Sequence, residues 1–175
     1  YYNNPEANAE AFTEDGFFRT GDAGRLEGDT LYFTERLKDL FKTANGKYIA
    51  PQMLEGMLAT DALFEQTAII ADGYKFVSAL IYPNWDALRR EAAERGIPAG
   101  LTEEELATNH EVHRLVMAHI EAALSSVAQY EKVKKFCILT QPFSLESGEL
   151  TNTLKIRRKV VAEHYAQQIA AMYEE

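Results

Sequence analysis

Two apolar runs separated by a single turn signal place the tightest constraint on this chain. Residues 67–71 and 75–82 are rich in isoleucine, valine and aromatic side chains, and Asp72-Gly73 stands between them. That pattern predicts an antiparallel hairpin. A third apolar run over residues 136–139 predicts another strand. Helical signals surround them. Pro51 suits the first position of a helix in which Met53, Leu54, Met57 and Leu58 recur at helical spacing. Asn84 can cap a helix ending near Gly96, and Thr102 with Glu105 forms a capping box. Asn109 opens a longer helix with Val112, Val116, Ala123 and Val127 on one side. A polar loop over residues 144–152 leads to a last helix from about Ile156 to Met172. Strands and helices mix without strict alternation. The expectation is an α+β domain, or a small open α/β one, with a short, mostly antiparallel sheet and packed helices.

The first 37 residues differ in character. They are acidic and turn-rich, with Asp15-Gly16 and Glu27-Gly28-Asp29 marking tight turns, and they read as short strands and hairpins. Next, residues 39–43 form a strand candidate. Asn45-Gly46 follows, a dipeptide favoured in two-residue hairpin turns, and residues 47–49 return antiparallel. A chain of 175 residues with 46% hydrophobic content can build one ordinary soluble domain. It starts at Tyr1 inside a patterned segment, without an initiator Met, and reads as a piece of a longer polypeptide.

Net charge is −9, the opposite of the basic excess that a general nucleic-acid binder shows. Positive charge is local, at Lys132, Lys134 and Lys135 and again at Lys155, Arg157, Arg158 and Lys159. Such clusters are solvated surface or meet phosphates. The one cysteine, Cys137, lies in an apolar run and reads as a buried, inert thiol, in keeping with a reducing cytosol. No apolar stretch has the length of a membrane span.

Three segments can carry chemistry. In the first, Asp22 follows Gly21. A carboxylate there can accept from two vicinal hydroxyls, as acidic residues do with ribose, or it can satisfy its own turn. In the second, Arg36 can donate to a sugar or phosphate, or it can lie at a solvated strand edge. Gly46 supplies a positive φ for a turn or lets a ligand approach the backbone. The third ends at Lys155, read as standing at the start of the last helix with Arg157, Arg158 and Lys159 in its first turn. Cations there oppose the helix dipole and are mildly costly unless an anion or acidic neighbour is present. An ammonium group delivered by a flexible loop suits phosphoryl or adenylyl chemistry. His110 and His113 lack metal-ligand spacing, and no convincing metal set appears. Ser125-Ser126 lies in helical pattern.

Together, Phe18-Arg19-Thr20-Gly21-Asp22, Arg36-Leu37-Lys38-Asp39, Gly46-Lys47-Tyr48-Ile49-Ala50-Pro51 with Glu55, and Leu150-Thr151-Asn152-Thr153-Leu154-Lys155 resemble the adenylate-forming superfamily. Within it, the wording over residues 41–51 and the long helical stretch of about 85–132 look most like long-chain fatty acyl-CoA synthetases. The resemblance implies that residues 1–37 are the tail of a large N-terminal adenylation domain and that residues 38–175 are a mobile C-terminal lid. It implies that Asp22 binds the AMP ribose with Arg36 nearby, that Lys38 is the hinge, that Lys155 supports adenylation, and that Gly46 lies beside the CoA pantetheine channel. ATP, CoA, a fatty acid and the chain's own N-terminal domain are the implied partners. The Mg ligand and the phosphate loop are expected upstream of Tyr1, so the fragment alone should be inactive. A cytoplasmic location is implied, with peripheral membrane association through the upstream region left open. Asn152 departs from the family, which often has Pro there. The alternatives are the lid of another acyl- or aryl-acid CoA ligase, and a non-catalytic binding domain of the same fold.

Overall fold

A computed structural model describes residues 1–174, with Glu35 described by its backbone alone, and divides the chain into two units after Leu40. The first unit opens with helix α1 (Pro5–Ala11), where Pro5 takes a first-turn position and the Asn4 side chain accepts from the Ala7 amide at 3.0 Å. This corrects the expectation of strands and hairpins alone over residues 1–37. Seven residues are too few for a periodic signal, but the Asn-Pro start was readable. Strands β1 (Asp22–Glu27) and β2 (Thr30–Arg36) pair antiparallel around Gly28, whose φ is +60°. Several large apolar side chains of this unit lie exposed, among them Phe17, Leu31 and Phe33.

The second unit begins with a small hairpin, β3 (Phe41–Lys42) and β4 (Tyr48–Ile49), followed by α2 (Pro51–Leu58). Strands β5 (Phe64–Ile70) and β6 (Val77–Pro83) form the expected antiparallel pair. Helices α3 (Trp85–Glu94), α4 (Glu103–Thr108) and α5 (His110–Ala123) follow, capped by the side chains of Asn84, Thr102 and Asn109 respectively. The capping box of Thr102 and Glu105 is present in both directions. Strand β7 (Val133–Ile138) then runs parallel to β6, which gives a mixed sheet ordered β5-β6-β7. Helices α6 (Arg158–His164) and α7 (Ala166–Tyr173) end the chain's described part.

Helices cover both faces of the sheet. Ile69, Ala79 and Ile81 pack with Leu54, Leu58, Leu88, Leu115 and Val116 on one side. Ala68 and Leu80 pack with Val161, Ile169 and Met172 on the other. Neighbouring strand residues thus divide between two cores, as the two-residue period of a strand requires. The α+β expectation holds.

Two helix limits differ from the expectation. Helix α5 stops at Ala123, with Leu124 as its C-cap, so Val127 packs on the core from outside the helix and Ser125-Ser126 lies beyond its end. The final helix is two, broken at Tyr165 (φ −104°, ψ 24°), whose ring meets Phe143 edge-on at 5.7 Å. Val161, Ile169 and Met172 keep a spacing that one helix would also satisfy, so periodicity could not show the break. Cys137 is half-buried on β7, and burial pushes its thiol pKa up, which fits an inert thiol.

Candidate functional site

In the first unit, β1–β2 pairing sets Asp22 directly opposite Arg36, with Nε 3.6 Å from Oδ1. The turn before Asp22 is closed by Thr20, whose hydroxyl accepts from the Asp22 amide at 3.1 Å. The Asp22 carboxylate is therefore not used to satisfy that turn. It stands partly exposed beside a guanidinium, a pairing of acceptor and donor suited to a hydroxylated, anionic ligand. As a surface ion pair it contributes little to stability. Lys38 is exposed in a single 3-10 turn, Leu37–Asp39, just before the division between the units.

In the second unit, Gly46 has a φ of +75°, and its amide donates to the Thr43 carbonyl at 2.8 Å. A Cβ built there meets nothing within 4 Å. The backbone conformation, not crowding, selects glycine. The hairpin is fastened to the β5–β6 turn from several directions. The Ala44 amide donates to the Tyr74 carbonyl at 2.8 Å, Gly73 to the Lys42 carbonyl at 2.8 Å, and the Lys42 amide to Asp72 Oδ1 at 3.0 Å.

The structure places Lys155 differently from the expectation. It does not start a helix, because α6 begins at Arg158. Lys155 sits on a closed hairpin whose stem is a bridge between Leu150 and Ile156. The Thr151 amide donates to the Lys155 carbonyl at 2.8 Å, and the Lys155 amide to Thr151 Oγ1 at 3.1 Å. Leu154, directly before it, has a φ of +59° and an exposed side chain. The loop is thus a braced turn with a strained residue, not a loose tether. The Lys155 side chain is exposed.

The basic turn that should oppose the α6 dipole has its acidic partner. Arg158 donates through Nη1 and Nη2 to the two oxygens of Glu55, at 2.7 and 2.8 Å, and its guanidinium lies 5.1 Å from the centre of the Phe41 ring. Glu55 also accepts from the Ile69 amide at 2.9 Å. One carboxylate therefore joins α2, β5 and α6. Sequence reasoning noted both residues but not their pairing, which spans 103 positions.

His113 Nε2 contacts the Ala107 carbonyl at 2.6 Å, and its ring stacks on Phe136. Among the described residues no group of His, Cys, Asp or Glu side chains is placed to hold a metal ion. The residues present do not fit magnesium. No helix of the described residues is long and apolar enough to cross a membrane.

An α+β unit of this topology, led in by a β hairpin, is the architecture of adenylate-forming enzymes. The chain aligns over its full length with the adenylation domain of a carboxylate reductase from Mycobacterium chelonae, at TM-score 0.73 and 28% identity, covering 26% of that chain. It aligns equally, at TM-score 0.73 and 26% identity, with an A-PCP didomain of carboxylic acid reductase from Segniliparus rugosus in complex with AMP, covering 99% of this chain and 23% of that one. Residues 38–175 match the family model of the AMP-binding enzyme C-terminal domain, and the chain belongs to that family. Its curated relatives include the long-chain-fatty-acid–CoA ligase FadD15 of Mycobacterium tuberculosis, 38% identical over 99% of this chain and 29% of that protein. The long-chain-fatty-acid–CoA ligase 5 of Rattus norvegicus is 32% identical over 99% of this chain and 26% of that protein. The resemblance to long-chain acyl-CoA synthetases stands, and the chain spans under a third of the length of these relatives.

Proposed function

We propose that this chain is the C-terminal part of an ATP-dependent, AMP-forming long-chain fatty acid–CoA ligase. Residues 38–175 act as the mobile lid, and residues 1–37 as the tail of the large adenylation domain. The observation that carries the reading is Lys155, an exposed ammonium on a braced hairpin of a domain whose relatives bear that ligase name. Exposed apolar side chains in the first unit suit a segment that belongs to a larger body.

In the proposed reaction, a fatty acid carboxylate oxygen bonds to the α-phosphorus of ATP and pyrophosphate leaves. Lys155 acts as a point charge on the developing negative oxygen, a role that needs placement more than proton transfer. Asp22 accepts from the ribose hydroxyls, and Arg36 stands beside that carboxylate, its Nε 3.6 Å from Oδ1. The CoA thiol then attacks the acyl carbon, and AMP departs. The Gly46 hairpin borders the pantetheine path, and rotation at Lys38 brings Lys155 and Gly46 into use alternately.

ATP–pyrophosphate exchange, measured with the upstream region restored and a panel of acids, tests this. Lys155→Ala lowers exchange by about 100-fold, the scale of losing one transition-state contact. Exchange at the wild-type rate would remove Lys155 from adenylation. The chain alone forms no acyl-CoA, and robust turnover by it would overturn the reading. A second reading, the adenylation domain of a carboxylic acid reductase, has the fold likeness in its favour. Exchange reads only the adenylation that both share, so acyl-CoA formation with CoA supplied separates the two: only the ligase converts the adenylate to free acyl-CoA.

A further inference from the structure

Glu149 is the only charged residue in the buried class among the described residues, with 4% of its surface exposed. A buried carboxylate is costly unless its lone pairs are filled. Here Oε2 accepts from Ser147 Oγ at 2.6 Å and from the Ser144 amide at 3.2 Å, and Oε1 meets His164 Nδ1 at 3.0 Å. The residue's own carbonyl accepts from the Arg157 amide at 2.7 Å. These partners lie on both sides of the hairpin that carries Lys155. Ser144 and Ser147 precede its stem, Arg157 follows it, and His164 ends α6. The hairpin itself holds Leu154 at φ +59°, a conformation that a leucine keeps only when the surroundings over-determine it.

From this network we infer that Glu149 is a positioning residue for adenylation, fixing the direction in which the 150–156 hairpin presents Lys155. The inference rests on the reading of Lys155 given above. An apolar residue could fill the same volume, but it could not tie two serines, a histidine and the stem into one frame. A misplaced catalytic group can cost about 100-fold in rate for a shift of about 1 Å. Glu149 touches no reacting atom, so its removal acts only through Lys155.

The test is a double-mutant cycle in the polypeptide with the upstream region restored, using Glu149→Ala, Lys155→Ala and the pair. Two half-reactions are read, ATP–pyrophosphate exchange and thioester formation from a preformed acyl adenylate. Exchange is followed long enough to resolve the residual rate of Lys155→Ala. Glu149→Ala lowers exchange by about 10-fold or more and leaves thioester formation within about twofold. On the Lys155→Ala background it lowers exchange no further. Equal loss in both half-reactions, or the same loss with and without Lys155, overturns the inference and leaves Lys155 in place. Exchange unaffected by Lys155→Ala overturns the Lys155 reading and this inference with it. If Glu149→Ala fails to fold, Glu149→Gln replaces it. The amide keeps the volume and one acceptor but cannot accept from the Ser144 amide and His164 together. It lowers exchange by about threefold, with thioester formation unchanged. Equal loss in both half-reactions for this variant has the same overturning force.

Discussion

At the scale of single residues, Gly46 and Leu154 make opposite cases for the same backbone region. Gly46, at φ +75° with open space around it, holds a conformation that any Cβ strains without any clash. Gly46→Ala should cost about 1 kcal/mol, and Gly46→Asn less, because asparagine tolerates the left-handed region. Urea midpoints should move with an unchanged slope. Gly46→Asn then separates structure from function. If it keeps near-normal stability yet slows thioester formation and spares pyrophosphate exchange, the proposed CoA path gains support. Equal loss in both half-reactions counts against that path. A turn at Gly46 was legible because Asn-Gly is a local signal, but its length was not: Lys42 pairs with Tyr48, so residues 43–47 form the loop where a two-residue turn was expected. Leu154 was not, because nothing in the composition of Leu-Thr-Asn-Thr-Leu-Lys marks a leucine at positive φ. The hydrogen bonds of Thr151 impose it.

At the scale of elements, the tie between α2 and α6 decides how the basic start of α6 is tolerated. The Arg158 and Glu55 side chains are 25% and 15% exposed, between surface and core. Removing one partner of a buried pair costs about 3–5 kcal/mol, so Arg158→Ala should cost about 2–3 kcal/mol at this partial burial. Glu55→Ala should cost at least as much, because the Ile69 amide also loses its acceptor. Denaturant unfolding of both singles and the double would show a coupling of about 1 kcal/mol or more. Additive effects would show that the pair has no mutual energy. Cations in the first turn of a helix need an acidic neighbour, but the sequence does not name it, since a contact across 103 positions leaves no local trace. Caps fared better. Asn84, Thr102 and Asn109 all act where their sequence context placed them, because an N-cap is satisfied within three residues. The break at Tyr165 and the end of α5 before Val127 are tertiary choices that apolar spacing does not encode.

At the scale of the whole molecule, stability should fall on both sides of neutral pH for separable reasons. His119 meets Asp61 through Nδ1 at 2.7 Å and Glu91 through Nε2 at 2.9 Å, joining the segment after α2 to α3 and α5. Burial lowers its pKa, but the two carboxylates outweigh that and raise it above the ordinary value of about 6.5. A raised folded pKa stabilises fully below the ordinary value and is lost as pH climbs through the folded value. Burial would raise the pKa of Glu149, but hydrogen bonds from Ser147, His164 and the Ser144 amide outweigh it and leave it lowered. Asp61 is likewise lowered, by the Leu63 amide and His119 against its own burial. Depressed carboxyl pKa values stabilise above the ordinary carboxyl range and are lost as pH falls through the folded values. Melting temperature against pH should therefore peak between these limits. His119→Gln should flatten the decline on the alkaline side, and Glu149→Gln should reduce the decline in acid. A decline from pH 6 to 8 unchanged by His119→Gln would show that another group sets it.

The hairpin bearing Gly46 and the hairpin bearing Lys155 are both bound to the same three-stranded sheet. The first is held through the β5–β6 turn and the second through Glu149 and α6, with Glu55 and Arg158 spanning the interval. The two hairpins lie about a hundred positions apart in the chain, yet each depends on a body that the other also shapes. A recombinant of two relatives joined between residues 56 and 149 would take one hairpin from each parent. It would also match one parent's Glu55 to the other's Arg158. The two loops are therefore expected to drift together in descent and to be exchangeable between enzymes only as a set.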